Sequence, residues 1–203
     1  AGRLGHGAQD EHRLVEHAGA TQVARDSQRM VIGPWPHWMN RERVLNGMHF
    51  GEGAIIDGAG QARSTYVVRG AWSELWDLEL TNSDPTRFSP ITSHDARPNT
   101  LVNEASHTKY VNLIVHDGGV AFFSYATAVD VEVSGAILYN NGWQGPSRGH
   151  GHALYVKSSA GPVVLRDNVM FNQYGYGVHV YADGGSGPLN NVTVEGNVAF
   201  NNG

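Results

Sequence analysis

The chain predicts an all-β protein: a right-handed parallel β-helix over residues 60 to 203, preceded by a mostly irregular segment over residues 1 to 59. Three observations carry this. Segments of alternating apolar residues recur and end in polar, mostly Asn-rich turns, as in NLIVHDGG (112–119), AILYNNG (136–142), NVMFNQYG (168–175) and NVAFNNG (197–203). Short runs such as VEV, VVL and VTV lead into these segments, and others such as VAFFS, LYVKS and VHVYA follow them. Three strands per repeat with no room for a helix between them argue for flat coils stacked on one another rather than βαβ units.

Taken in order, residues 1 to 29 hold few apolar residues at irregular spacing, with one or two helical turns expected over Glu11 to His17. Met30 to Ile32 reads as a short strand stopped by Gly33 and Pro34. A change of character near residue 60 sets the domain boundary. Thr65 to Arg69 (TYVVR) and Leu75 to Leu80 (LWDLEL) alternate as half-buried strands do. Ser83 to Asn99 interrupts them with three prolines and no periodicity, which predicts a surface excursion. Aligning His116, Asn140, Asn172 and Asn201 gives spacings of 24, 32 and 29 residues, with Asn82 as an earlier counterpart. Loops of varying length on a shared core produce such spacings. Asn140, Asn141, Asn172, Asn201 and Asn202 are assigned to turns and to a ladder of side-chain amides, since Asn tolerates left-handed backbone. The chain ends within a repeat turn at Asn202-Gly203, so further coils and a cap are expected beyond it.

Composition narrows the partners. With 14 Lys and Arg against 19 Asp and Glu, and no basic run, nucleic acid is an unfavourable partner. No apolar stretch is long enough to span a membrane as a helix, and no signal peptide is visible. The absence of cysteine excludes disulfides and thiolate metal sites.

Two resemblances follow from quoted segments. ARDSQRMVIGPWPHW with HFGEGAIID, covering about residues 18 to 57, resembles the catalytic-histidine segment of α/β-hydrolases of the cocaine-esterase and X-Pro dipeptidyl-peptidase type. It implies that His37 corresponds to the base of a Ser-His-Asp triad. The chain departs from that pattern, because no G-x-S-x-G nucleophile elbow occurs in it. A fragment of a serine hydrolase fusion is therefore one alternative. From about residue 60 onward, SGAILYNNGWQGPSRGHGHALYV, NVMFNQYGYGVHVYADG and VTVEGNVAFNNG resemble bacterial parallel β-helix proteins of the pectate-lyase-like superfold. That resemblance implies a carbohydrate-active protein, extracellular or periplasmic, acting on or binding acidic polysaccharide. The superfold hosts lyases, glycosidases, adhesins and inert stalks alike. A non-catalytic binding or structural module is the second alternative, and oligomeric state is left open.

Aligning the third strands places Val120, Leu154 and Val178 in one interior column and Phe122, Val156 and Val180 in another. Ala121, Tyr155 and His179 then face outward, as do Phe123, Lys157 and Tyr181. The loop GWQGPSRGHGH brings Trp143, Arg148, His150 and His152 within reach. Such a patch suits acidic sugars, with aromatic faces for pyranose rings and cations for carboxylates. For β-elimination, Arg148 or Lys157 would neutralise the uronate, and His179 or Tyr155 would take the C5 proton. Trp143, His150, His152 and Tyr181 are the expected substrate contacts, with Trp143 equally suited to anchoring the loop. Gly149-His150-Gly151 resembles the G-H-G element of polygalacturonase-like glycosidases. That family's clustered aspartates have no counterpart here, Asp117 and Asp167 being the nearest candidates. His150 and His152 with His179 or Asp117 would be the residues to share a metal, but no metal or other cofactor is assigned. Calcium, which some pectate lyases use, finds no cluster of three acids.

Overall fold

The computed structural model describes residues 54–90 and 96–203. The turns expected over Glu11 to His17, the strand Met30 to Ile32 and His37 lie outside the described residues.

A first strand, β1 (Ile55–Asp57), precedes five coils that each contribute one strand to each of three sheets. These are β2 (Tyr66–Val68), β3 (Glu74–Trp76) and β4 (Glu79–Thr81), then β5 (Leu101–Asn103), β6 (Thr108–Val111) and β7 (Ile114–His116). Next come β8 (Phe122–Ser124), β9 (Val131–Ser134) and β10 (Ile137–Tyr139), followed by a hairpin of β11 (Trp143–Gln144) and β12 (Gly149–His150). The stack continues with β13 (Leu154–Val156), β14 (Val163–Arg166) and β15 (Val169–Phe171). A fifth coil is formed by β16 (Val178–Val180), β17 (Val192–Glu195) and β18 (Val198–Phe200). The first sheet runs β2-β5-β8-β13-β16, the second β3-β6-β9-β14-β17 and the third β1-β4-β7-β10-β15-β18, all pairs parallel. This is a parallel β-helix. Its stack already includes β1, ahead of the change of character near residue 60.

The interior is filled by the inward residue of each short strand. Leu80, Leu101, Leu113, Val115, Phe122, Leu138, Leu154, Leu165 and Met170 are essentially sealed from solvent. Each such side chain contributes roughly 1.5–3 kcal/mol on burial. Tyr110 is the largest of them; its hydroxyl donates to Asn103 Oδ1 at 2.9 Å, and burial raises its pKa.

Corners this tight need left-handed backbone, which costs most residues roughly 1–2 kcal/mol and is carried by Gly, Asn and Asp. Between the second and third sheets the position is held by Asp77, Asn112, Gly135, Asp167 and Gly196, with φ of 54°, 54°, 66°, 56° and 63°. After the third sheet it is held by Asp117, Asn140, Asn172 and Asn201, with φ of 57°, 53°, 56° and 51°. The residue following such a corner points inward. Asn141 Oδ1 accepts from the Gly118 amide at 3.1 Å, Gln173 Oε1 from Asn141 at 3.0 Å and Asn202 Oδ1 from Gln173 at 3.1 Å. Asn168 and Asn197 form a second ladder, Asn168 Oδ1 accepting from Ala136 at 2.9 Å and Asn197 Oδ1 from Asn168 at 3.0 Å.

Three expectations are corrected. LWDLEL is two strands, because left-handed Asp77 turns the chain between β3 and β4 while Leu75, Leu78 and Leu80 all remain buried. His116 pairs with Tyr139, so Asp117 rather than His116 occupies the corner held by Asn140. In the first sheet Phe122 lies opposite Leu154 and Phe123 opposite Tyr155, two residues from the expected register, and Ala121 is buried. The described part of the excursion after Ser83 lies largely at the surface, as expected, and is pinned there. Arg97 is 2% exposed and donates to the carbonyls of Asn82, Asp84 and Thr86 at 2.9, 2.7 and 2.8 Å.

Candidate functional site

The outward side chains of β8, β13 and β16 form one column, Phe123, Tyr155 and His179, because the parallel register places them opposite one another. Rings from flanking positions join them. Phe123 meets Tyr155 and Tyr125 edge-on at 5.1 and 4.9 Å between centroids, and Tyr155 stacks on His179 at 4.7 Å. His152 stacks on Tyr176 at 5.2 Å and meets His179 at 4.6 Å, while Tyr181 lies 5.2 Å from His179. Tyr125, Tyr176 and Tyr181 are 46%, 50% and 42% exposed, so the cluster opens to solvent at its rim. The structure thus brings together Tyr155, His179, His152 and Tyr181 of the expected residues. Phe123, Tyr125 and Tyr176 complete the surface.

Hydrogen bonds define the state of the two imidazoles. The Tyr176 amide donates to His152 Nδ1 at 2.9 Å, and His152 Nε2 faces His179 Nδ1 at 3.1 Å. With Nδ1 accepting, neutral His152 carries its proton on Nε2 and donates it to His179 Nδ1, which leaves His179 presenting an N–H outward. Burial, then the neighbouring His179 and Arg148, push the His152 pKa down to about 4. His179 is lowered too, by burial and by Arg148. Neither ring offers an open lone pair, so a base role for His179 first requires His152 to release it. The same bond pattern makes His152 Nε2 a donor and unsuited to ligating a metal.

Tyr155 is shifted away from phenolate, its pKa raised chiefly by burial. Lys157 Nζ bonds Asp183 Oδ2 at 2.6 Å, and this hydrogen bond raises the lysine while lowering Asp183 to about 2. The Lys157 charge is therefore compensated. Arg148 is exposed, and its guanidinium has no hydrogen-bond or ion-pair partner among the described residues.

Trp143 and His150 are only 4% and 7% exposed and stack on each other across the β11–β12 hairpin at 5.3 Å. Theirs is the place of loop anchors, with no ring face open at the surface. Gly149 allows the hairpin to close, since a Cβ there would lie 1.8 Å from the Tyr174 carbonyl oxygen.

On the other side of the hairpin is a feature the sequence did not announce. A groove of about 500 Å³ is lined by Asn140, Asn172, Asn201 and Tyr174, together with Arg87 and Asp117, which pair with each other. Arg87 Nη1 also donates to the carbonyls of Asn140 and Gly142 at 2.9 and 3.1 Å. Beside it His116 lies between carboxylates, Nε2 at 2.9 Å from Glu79 and Nδ1 at 2.7 Å from Asp117. Asp117 is thus held on both oxygens. Asp167, its companion candidate from the sequence, holds a left-handed corner between β14 and β15. The signal for this groove was the Asn doublets, whose two members have different fates. No protein-family model matches the chain, and neither a curated protein nor a solved structure matches it.

Proposed function

We propose that this protein binds acidic polysaccharide on the outer face of its first sheet, as a carbohydrate-binding β-helix. The observation that carries the reading is the open ring cluster around Tyr155 and His179, with Arg148, unpaired among the described residues, near it. Aromatic rings suit the apolar faces of sugars, and a guanidinium suits a uronate carboxylate. The resemblance of the repeats to pectate-lyase-like proteins supports the same ligand class, and with it an extracellular or periplasmic place of action. Retention fits the side chains better than turnover. The expected base His179 has its accepting nitrogen engaged, Tyr155 is held as phenol, and Lys157 is neutralised by Asp183.

Isothermal titration with oligogalacturonate, oligoalginate and their carboxyl-reduced forms tests this. Binding of the acidic forms is expected, without the ultraviolet absorbance of an unsaturated product. Tyr155→Ala should weaken it by roughly tenfold, the scale of one lost aromatic contact, and Arg148→Gln should remove the preference over the reduced forms. Failure of the intact protein to bind any uronate polymer would sink the proposal.

A further inference from the structure

The corner after the third sheet carries more polar chemistry than its backbone requires. Any of Gly, Asp or Asn satisfies the left-handed position, as Asp77, Asn112, Gly135, Asp167 and Gly196 demonstrate at the preceding corner. The work of tying coils together is done one residue further on, by buried Asn141 and Gln173 and by Asn202. Yet three coils in a row place an outward Asn here. Asn201 Nδ2 donates to Asn172 Oδ1 at 2.6 Å, and the Asn172 amide N–H groups have no partner among the described residues. The Asn140 side chain has no hydrogen-bond partner among the described residues, although its backbone carbonyl is held by Arg87.

These amides line the groove of about 500 Å³, a size that suits a small ligand. Its charged lining residues, Arg87 and Asp117, are paired with each other, so the groove has no net demand for a charged ligand. It offers instead donors and acceptors repeated at the coil spacing of about 4.8 Å, beside the phenol of Tyr174.

We infer that this groove is a second binding site, for the uncharged, hydroxyl-rich segment of a saccharide chain, with the open amides of Asn140 and Asn172 as its recognition groups. It goes beyond the acidic-sugar reading and does not depend on the aromatic surface.

The test uses the whole chain, labelled with nitrogen-15, titrated with the neutral oligomers xylohexaose, cellohexaose and mannohexaose, and separately with oligogalacturonate. At least one neutral oligomer should shift the side-chain amide resonances of Asn140, Asn172 and Asn201. The Asn140→Gly/Asn172→Gly double variant keeps residues suited to left-handed backbone, and should bind that oligomer roughly ten- to thirtyfold more weakly, about two net hydrogen bonds' worth. Its binding of oligogalacturonate should be unchanged, and Tyr155→Ala should show the opposite pattern. The inference is overturned if no neutral oligomer moves these amides, or if the double variant binds it as wild type does. Loss of oligogalacturonate binding by the double variant with its backbone spectrum intact would equally overturn it, since the groove would then belong to the acidic site. Absence of oligogalacturonate binding with retained amide shifts would instead remove only the acidic-sugar reading.

Discussion

Replacing Asn168 by alanine isolates what the interior amide ladder contributes. Asn168 is fully buried; its Oδ1 accepts from the Ala136 amide at 2.9 Å, and its Nδ2 donates to Val133 O at 3.1 Å and Asn197 Oδ1 at 2.9 Å. Ala136 is itself 1% exposed, so no water replaces the lost acceptor. Asn197 Oδ1 keeps the Asn168 backbone N–H at 3.0 Å, so two groups are orphaned, the Ala136 N–H and one direction of the Val133 carbonyl. At about 1–3 kcal/mol for each unsatisfied buried group, the cost is about 2–6 kcal/mol. That is a large share of a typical domain's stability of about 5–15 kcal/mol. Asn172→Gly makes the contrast, because it removes an exposed amide at a left-handed corner and should change stability by no more than about 0.5 kcal/mol. Urea denaturation followed by circular dichroism measures both, provided the slope with denaturant is unchanged, and hydrogen exchange at the Ala136 amide reports the site directly. A loss below about 1 kcal/mol for Asn168→Ala, or an equal loss for Asn172→Gly, would refute the division of labour between inner and outer amides.

Three further outcomes are expected. His152 has a folded pKa of about 4 against 6.5 when unfolded, so acid protonates the unfolded chain first; stability should fall as pH drops from about 6.5 to about 4, then level off. The loss should reach up to about 3 kcal/mol, and urea midpoints across this window should lose most of their slope in His152→Phe. Asp183→Asn frees the Lys157 ammonium beside the ring cluster, and should raise affinity for oligogalacturonate by roughly two- to fivefold at low salt, fading as salt screens the charge. Gly149→Ala drives a Cβ into the Tyr174 carbonyl and should open the hairpin, giving a red-shifted tryptophan emission that Trp143→Phe in the same background abolishes.

The fold was legible because a parallel β-helix repeats the same physical problem in every coil. Alternation within VEV, VVL and VTV marks the inward residue, and an Asn, Asp or Gly must stand wherever the backbone turns left-handed. What alternation cannot express is register between coils. Because side chains return to the same face every two residues, sliding β8 by two against β13 leaves Phe122 inward and Phe123 outward as expected, and only Ala121, just ahead of the strand, changes from outward to buried. Alternation thus marks Phe123, Tyr155 and His179 as outward while setting Phe123 beside Lys157 instead of Tyr155. LWDLEL failed for a related reason, since a one-residue corner at Asp77 can leave a strand-like spacing of leucines in place.

For the site, the sequence by itself determined which side chains could meet on the outer face of the first sheet, Tyr155, His179 and Tyr181 among them. Only the tertiary structure decided their chemistry. A histidine's usable nitrogen depends on a neighbour 24 residues away, the Tyr176 amide that fixes His152 and through it His179. A lysine's charge depends on Asp183, and a tryptophan in a Gly-rich loop is buried only because a hairpin closes it against His150. The groove is the extreme case. It is lined in part by Arg87, which finds the backbone carbonyls of Asn140 and Gly142 on a distant segment, contacts with no local periodicity from which to infer them. Local pattern encodes the direction of a side chain, while hydrogen-bond partners are set by the way the coils stack and the loops fold between them.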